Sequence, residues 1–140
     1  MKYLIIVLIA IVIFLTKFYI AWGKDKKFIR SQGGMKVMYK YLIDGLLQYH
    51  SARIIQEETN FITIAGSFTD PFMSRTCGLW SVIIQHSFNI LTVKYQAHHD
   101  LDGGETAKQV WDFSPNANQE EILTIIKKKA DEWDVYCILK

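Results

Sequence analysis

Cysteine, proline and net charge are all scarce in this chain, and each scarcity removes a class of function. Cys77 and Cys137 are the only cysteines and stand sixty positions apart, which gives neither a CxxC redox pair nor the thiolate spacing of a zinc site. One disulfide between them and no disulfide at all both remain open. The formal net charge is only +2, and much of the positive excess falls between residues 24 and 30, so no global basic field recommends nucleic acid as a partner. The glycine pairs Gly33–Gly34 and Gly103–Gly104 are isolated from any Walker or dinucleotide-binding pattern. Repeats of fixed period and low-complexity tracts are missing as well.

The chain does hold enough apolar material for a core: 50% of its residues are hydrophobic and 14% aromatic, against 21% charged, a composition far from that of a disordered tail. Its 140 residues provide for one apolar segment plus a domain of roughly 110 residues, a common size for a single core. Residues 1–22 read as the segment, 23–34 as a linker and 35–140 as the domain.

From Tyr3 to Trp22 run twenty residues with a single charge, Lys17. A helix rising about 1.5 Å per residue covers the roughly 30 Å hydrocarbon core over that length. Lys17 is near enough to the end to snorkel, while Tyr3, Tyr19 and Trp22 fall where aromatic belts form. Lys2 and the run to Thr16 also fit a secretory signal, whose removal would leave a secreted soluble domain. The following KFYIAWGKDKK lacks a small-x-small cleavage site, however, so an uncleaved single-pass anchor is expected. A buried core helix is disfavoured because the segment is apolar on every side. Lys24, Lys26, Lys27 and Arg30 outnumber Lys2 at the far end, which places the C-terminal domain in the cytoplasm by the positive-inside tendency. The opposite orientation would suit a Cys77–Cys137 disulfide. Residues 23–34, GKDKKFIRSQGG, read as a solvated juxtamembrane spacer whose four basic residues only reach the lower limit of a lipid-recognising cluster.

Beyond it, Met35, Met38, Tyr39, Leu42, Leu46 and Tyr49 recur at helical steps and predict one helix. Strand chemistry follows at Ala52 to Glu57 and at Phe61 to Phe68. TDPFMSRTCG, residues 69–78, with Pro71 and Gly78 as punctuation, predicts the longest loop of the domain and a place for function. Leu79 to Phe88 sets Trp80, Val82, Ile84 and His86 on one face; Ile90 to Ala97 does the same with Leu91, Val93, Tyr95 and Ala97, so the two predict a hairpin. A fifth strand spans Thr106 to Phe113. Pro115 suits a first helical position, and Asn118 with Glu121 has capping-box spacing. The last helix should turn Ile122, Ile125, Ile126, Lys129 and Trp133 inward, and VYCILK is compatible with a helical extension or a sixth strand. The class is therefore α+β: a five-stranded, mainly antiparallel sheet flanked by two helices.

Through the segments NFITIAGSF, ILTVKYQA and QEEILTIIKKKADEW and the order helix, sheet, helix, residues 35–134 resemble the small domains related to type III secretion chaperones. The resemblance implies a binding or chaperone-like module, often a homodimer, with no catalytic residues to carry over. The membrane segment departs from those soluble chaperones and places a secretion role in doubt.

Candidate chemistry concentrates in HHDLDGGE, where His98, His99, Asp100, Asp102 and Glu105 fall within eight positions. Imidazole and carboxylate suit zinc and similar ions, and a small-ligand or metal-assisted enzyme on this loop is the alternative reading. Adjacent strand residues point to opposite faces, though, and the DxDGG fragment lacks the further acidic positions of a calcium loop, so a polar turn is expected. Cys77, with His50, His86 or His99 as a base, has no nucleophile signature around it and reads as an idle thiol. Trp80, Trp111 and Trp133 are expected in the core, with a ligand groove between helix and sheet as the lesser option. The expectation is thus a membrane-held protein-interaction module with no enzymatic activity, catalytic residue, metal or cofactor, whose partner meets the sheet or the 69–78 loop.

Overall fold

The computed structural model of this protein describes residues 1–139 other than 71, 73 and 100–105, with residue 70 and residues 133–139 described through their backbone. The first element is a single helix, α1 (Lys2–Ser31), whose apolar portion is exposed along its length and is long and apolar enough to cross a membrane. The helix does not stop at Trp22: residues 23–31, expected as a spacer, continue it, and Ile29 at its end is fully buried in the domain core. It ends where Gly33 and Gly34 take φ of 92° and 88°, a left-handed conformation that glycine adopts without a Cβ penalty. Gly34 N–H then donates to Ile29 O and Gly33 N–H to Arg30 O, satisfying carbonyls the helix leaves open.

The predicted helix from Met35 to Tyr49 is broken into α2 (Met35–Met38) and α3 (Lys40–Leu47), with Tyr39 at φ −115° between them. Gln119 holds the break from the far end of the chain. Its Nε2 donates to Met38 O at 2.8 Å and its Oε1 accepts from Leu42 N at 3.1 Å, which satisfies a carbonyl and an amide at the interruption.

Five strands follow: β1 (Arg53–Glu57), β2 (Phe61–Asp70), β3 (Arg75–Ser87), β4 (Ile90–His99) and β5 (Thr106–Phe113). They form one antiparallel meander in the order β1-β2-β3-β4-β5. The expected long loop 69–78 is mostly strand. Thr69 pairs with Thr76 and Asp70 with Arg75 past a bulge after Phe68, because threonines favour a pleated surface and form good cross-strand pairs. Only residues 71–74 separate the two strands. The β3–β4 hairpin forms as expected.

Helix α4 (Gln119–Leu139) closes the chain and takes the VYCILK residues through Leu139 as helix. Pro115 lies in the preceding turn and not at its first position. Ala117 N–H donates to Ser114 O at 2.9 Å, with proline in the second place of the turn, where its fixed φ is favourable. Asn118 is the cap, its Oδ1 accepting from Glu120 N at 3.0 Å. The inward stripe is Ile122, Leu123, Ile126 and Ala130; Ile125 and Lys129, expected inside, lie toward its margin, with Ile125 38% exposed. The side chain of Trp133 lies outside the described residues.

The helices that pack on the sheet all cover one of its faces. Leu42, Ile43 and Leu46 of α3 and the α4 stripe pack on Ile62, Ile64, Trp80, Val82, Ile84, Leu91, Val93 and Tyr95. Trp80 meets Tyr49 edge-on at 5.7 Å, and Trp111 packs at the core's margin. Among the described residues, the opposite face carries no helix.

Candidate functional site

The uncovered face alternates out of phase with the core, as period two requires. It presents Arg53 and Ile55 from β1, Ala65 and Ser67 from β2, Leu79 and Ser81 from β3, Gln96 and His98 from β4, and Thr106 and Lys108 from β5. Together they line a trough of about 920 Å³. Its floor is small or apolar where Ala65 pairs with Ser81, while Arg53 and Lys108 set positive charge at two margins and Leu79 and Ile55, each 55% exposed, supply apolar surface. Small floor residues on a curved sheet let an elongated ligand approach, and charged margins select its sign. The trough lies toward the end of the sheet that carries residues 71–74.

The other end of the sheet meets α1. His86 of β3 is 1% exposed. Its Nδ1 lies 3.0 Å from Tyr39 Oη, and its Nε2 lies 3.7 Å from Asp25 Oδ1. His86 shares a hydrogen bond with Tyr39 through Nδ1, its direction set by the imidazole tautomer, and turns Nε2 toward the carboxylate. Burial, with Asp25's negative charge as a smaller cause, pushes the Tyr39 phenol up to about 12. Asp25 Oδ2 also accepts from Phe88 N at 3.3 Å, Phe28 packs edge-on to His86, and Arg30 Nη2 donates to Thr59 Oγ1 at 3.4 Å. Asp25, His86 and Tyr39 thus tie α1, the sheet and the helix break into one joint.

The histidine pair separates as strand alternation requires. His98 is exposed on the uncovered face, and His99 is 3% exposed on the other, its ring stacked on Phe68 at 5.6 Å and 3°. One ion cannot draw on both. Asp100, Asp102 and Glu105 lie outside the described residues; among the described residues no three His, Cys, Asp or Glu groups converge. Cys77 is a buried free thiol, and His86 lies nine residues along the same strand, roughly 30 Å away at about 3.3 Å per residue. Cys137 has no described side chain. The groove between helix and sheet exists as a cavity of about 320 Å³ lined by Tyr49, His50, Phe68, Trp80, Tyr95 and Ile126 among others, at the lower end of ligand-pocket sizes.

Two parts of the arrangement had no sequence signal. Asp25 reads as a spacer residue until the helix carries it onto His86, and Arg53 and Lys108 meet the same trough only through strand order. No family model, curated protein or solved structure matches the chain.

Proposed function

We propose that this protein is a single-pass, membrane-anchored interaction module of chaperone-like character. Residues 3–22 lie in the bilayer, the domain is in the cytoplasm, and the trough on the uncovered face holds a segment of a partner protein. It binds and does not catalyse. The observation that carries the reading is the trough itself: about 920 Å³ along a sheet face that no helix covers among the described residues, while α3 and α4 pack on the opposite side. Arg53 and Lys108 at its margins favour a partner segment bearing carboxylates, and Leu79 and Ile55 give it apolar purchase. The basic residues following Trp22 support the cytoplasmic placement.

A photoreactive residue at Leu79 or Gln96, activated in native membranes, tests this reading. A defined protein adduct that disappears when Arg53→Glu and Lys108→Glu are introduced is expected. Absence of any adduct, or an adduct indifferent to those reversals, would remove the proposal. An adduct of twice the chain's own mass would identify the partner as a second copy.

A further inference from the structure

The two residues that turn β3 into β4 are Phe88 and Asn89, both with positive φ, 49° and 64°. A two-residue turn of this handedness matches the twist of the strands and favours asparagine and glycine. Asn89 suits it; a phenylalanine does not, because its Cβ crowds the neighbouring carbonyl there. Phe88 is nevertheless held in this strained place and is 46% exposed, beside Ile90, also 46% exposed. A strained, outward-facing aromatic at a hairpin tip points to use.

Its surroundings say what use. The Phe88 ring lies 5.3 Å from that of Phe18, four residues before Trp22 on α1 and therefore about 6 Å deeper into the apolar run. Asp25, about two turns past Phe18 on the far side of Trp22, accepts the Phe88 amide, so the tip is pinned to the helix and its backbone donor is satisfied. Lys26 sits over the Trp22 ring at 4.0 Å, and Lys24 and Lys27 flank it, the arrangement of a headgroup boundary.

We infer that the β3–β4 turn is a second membrane contact, with Phe88 and Ile90 entering the lipid interface beside Phe18. This rests on the proposed membrane placement of residues 3–22. Two attachment points hold the domain upright on the bilayer. The trough then lies at the end of the sheet remote from the membrane, since Thr76 at that end lies twelve residues, roughly 40 Å, along β3 from Phe88.

The test places benzoylphenylalanine singly at Phe14, Phe88 and Thr76 of the full chain, reconstituted in vesicles of zwitterionic and anionic phospholipid, and scores lipid adducts by mass. Adducts at 14 and 88 but not at 76 are expected. Adducts at 14 alone overturn the second contact and leave the anchor standing; adducts at none of the three overturn the anchor with it. A chain-to-chain adduct at 88 in place of lipid also overturns the inference, because the tip would then meet a second copy. A further variant, Phe88→Asn with Ile90→Thr, relieves the turn and keeps the fold. It is expected to raise protease access to the β3–β4 turn on vesicles several-fold, and unchanged access counts against the contact.

Discussion

Tyr39 occupies the break between two helices and hydrogen-bonds a buried imidazole, so its protonation state is tied to folding. With its native pKa raised to about 12 and an unfolded value near 10, the folded state holds the proton more tightly. The stabilisation is fully present below pH of about 10 and is lost as pH rises toward about 12. Urea unfolding of the full chain in micelles should show stability falling through that window, and Tyr39→Phe should remove this component while leaving His86 Nδ1 without its hydrogen-bond partner, at a cost of about 1–3 kcal/mol. Gln119 also serves two partners at once. Gln119→Ala strips the Met38 carbonyl and Leu42 amide of their partner and should cost about 1–3 kcal/mol in the same measurement. At Gly45 a Cβ would run into the Leu123 side chain; Gly45→Ala should cost about 1–3 kcal/mol by overpacking, with part recovered when Leu123→Ala is added.

Helix α1 is long and apolar enough to cross a membrane and is a structural member of the domain as well. Its apolar stretch is exposed, yet its last turns are sealed into the domain by Ile29, Asp25 and Phe28. A spacer would tolerate change there. Ile29→Ala should instead destabilise the domain by about 2–5 kcal/mol, read from the urea midpoint, as truncation of a fully buried isoleucine does. A neutral result would make residues 23–31 the independent tether that their composition suggests.

At the scale of the whole molecule, the two faces of the sheet differ, since one forms the core beneath the helices and the other, among the described residues, carries no helix; the proposed function gives that second face to a partner. A reporter active only in the cytosol, fused after Lys140, should work, and one active only outside should not, by the charge balance around α1. The reverse result would turn the trough toward the other compartment and send the search for its partner there.

Most of the strands were legible from sequence because a half-buried strand writes its two faces directly into alternating residues: Trp80, Val82, Ile84 and His86 read as one face and are one face. The apolar helix was legible for the same kind of reason, since twenty consecutive residues without a polar stripe leave few alternatives. Local pattern failed where distant groups decided the outcome. Thr69 and Thr76 look like loop until cross-strand pairing lengthens β2 and β3, Tyr39 looks like mid-helix until Gln119 arrives from the far end of the chain to satisfy a break, and the polar run 23–31 looks like spacer until the sheet gives its helix a surface to pack against. The trough belongs to the same class, because Arg53 and Lys108 stand on opposite edge strands of the sheet and line one trough only once five strands are ordered. Sequence alone determined which segments are apolar and with what period; tertiary structure decided where the chain continues, breaks and stays uncovered, because those choices depend on hydrogen bonds and contacts between residues far apart in the chain.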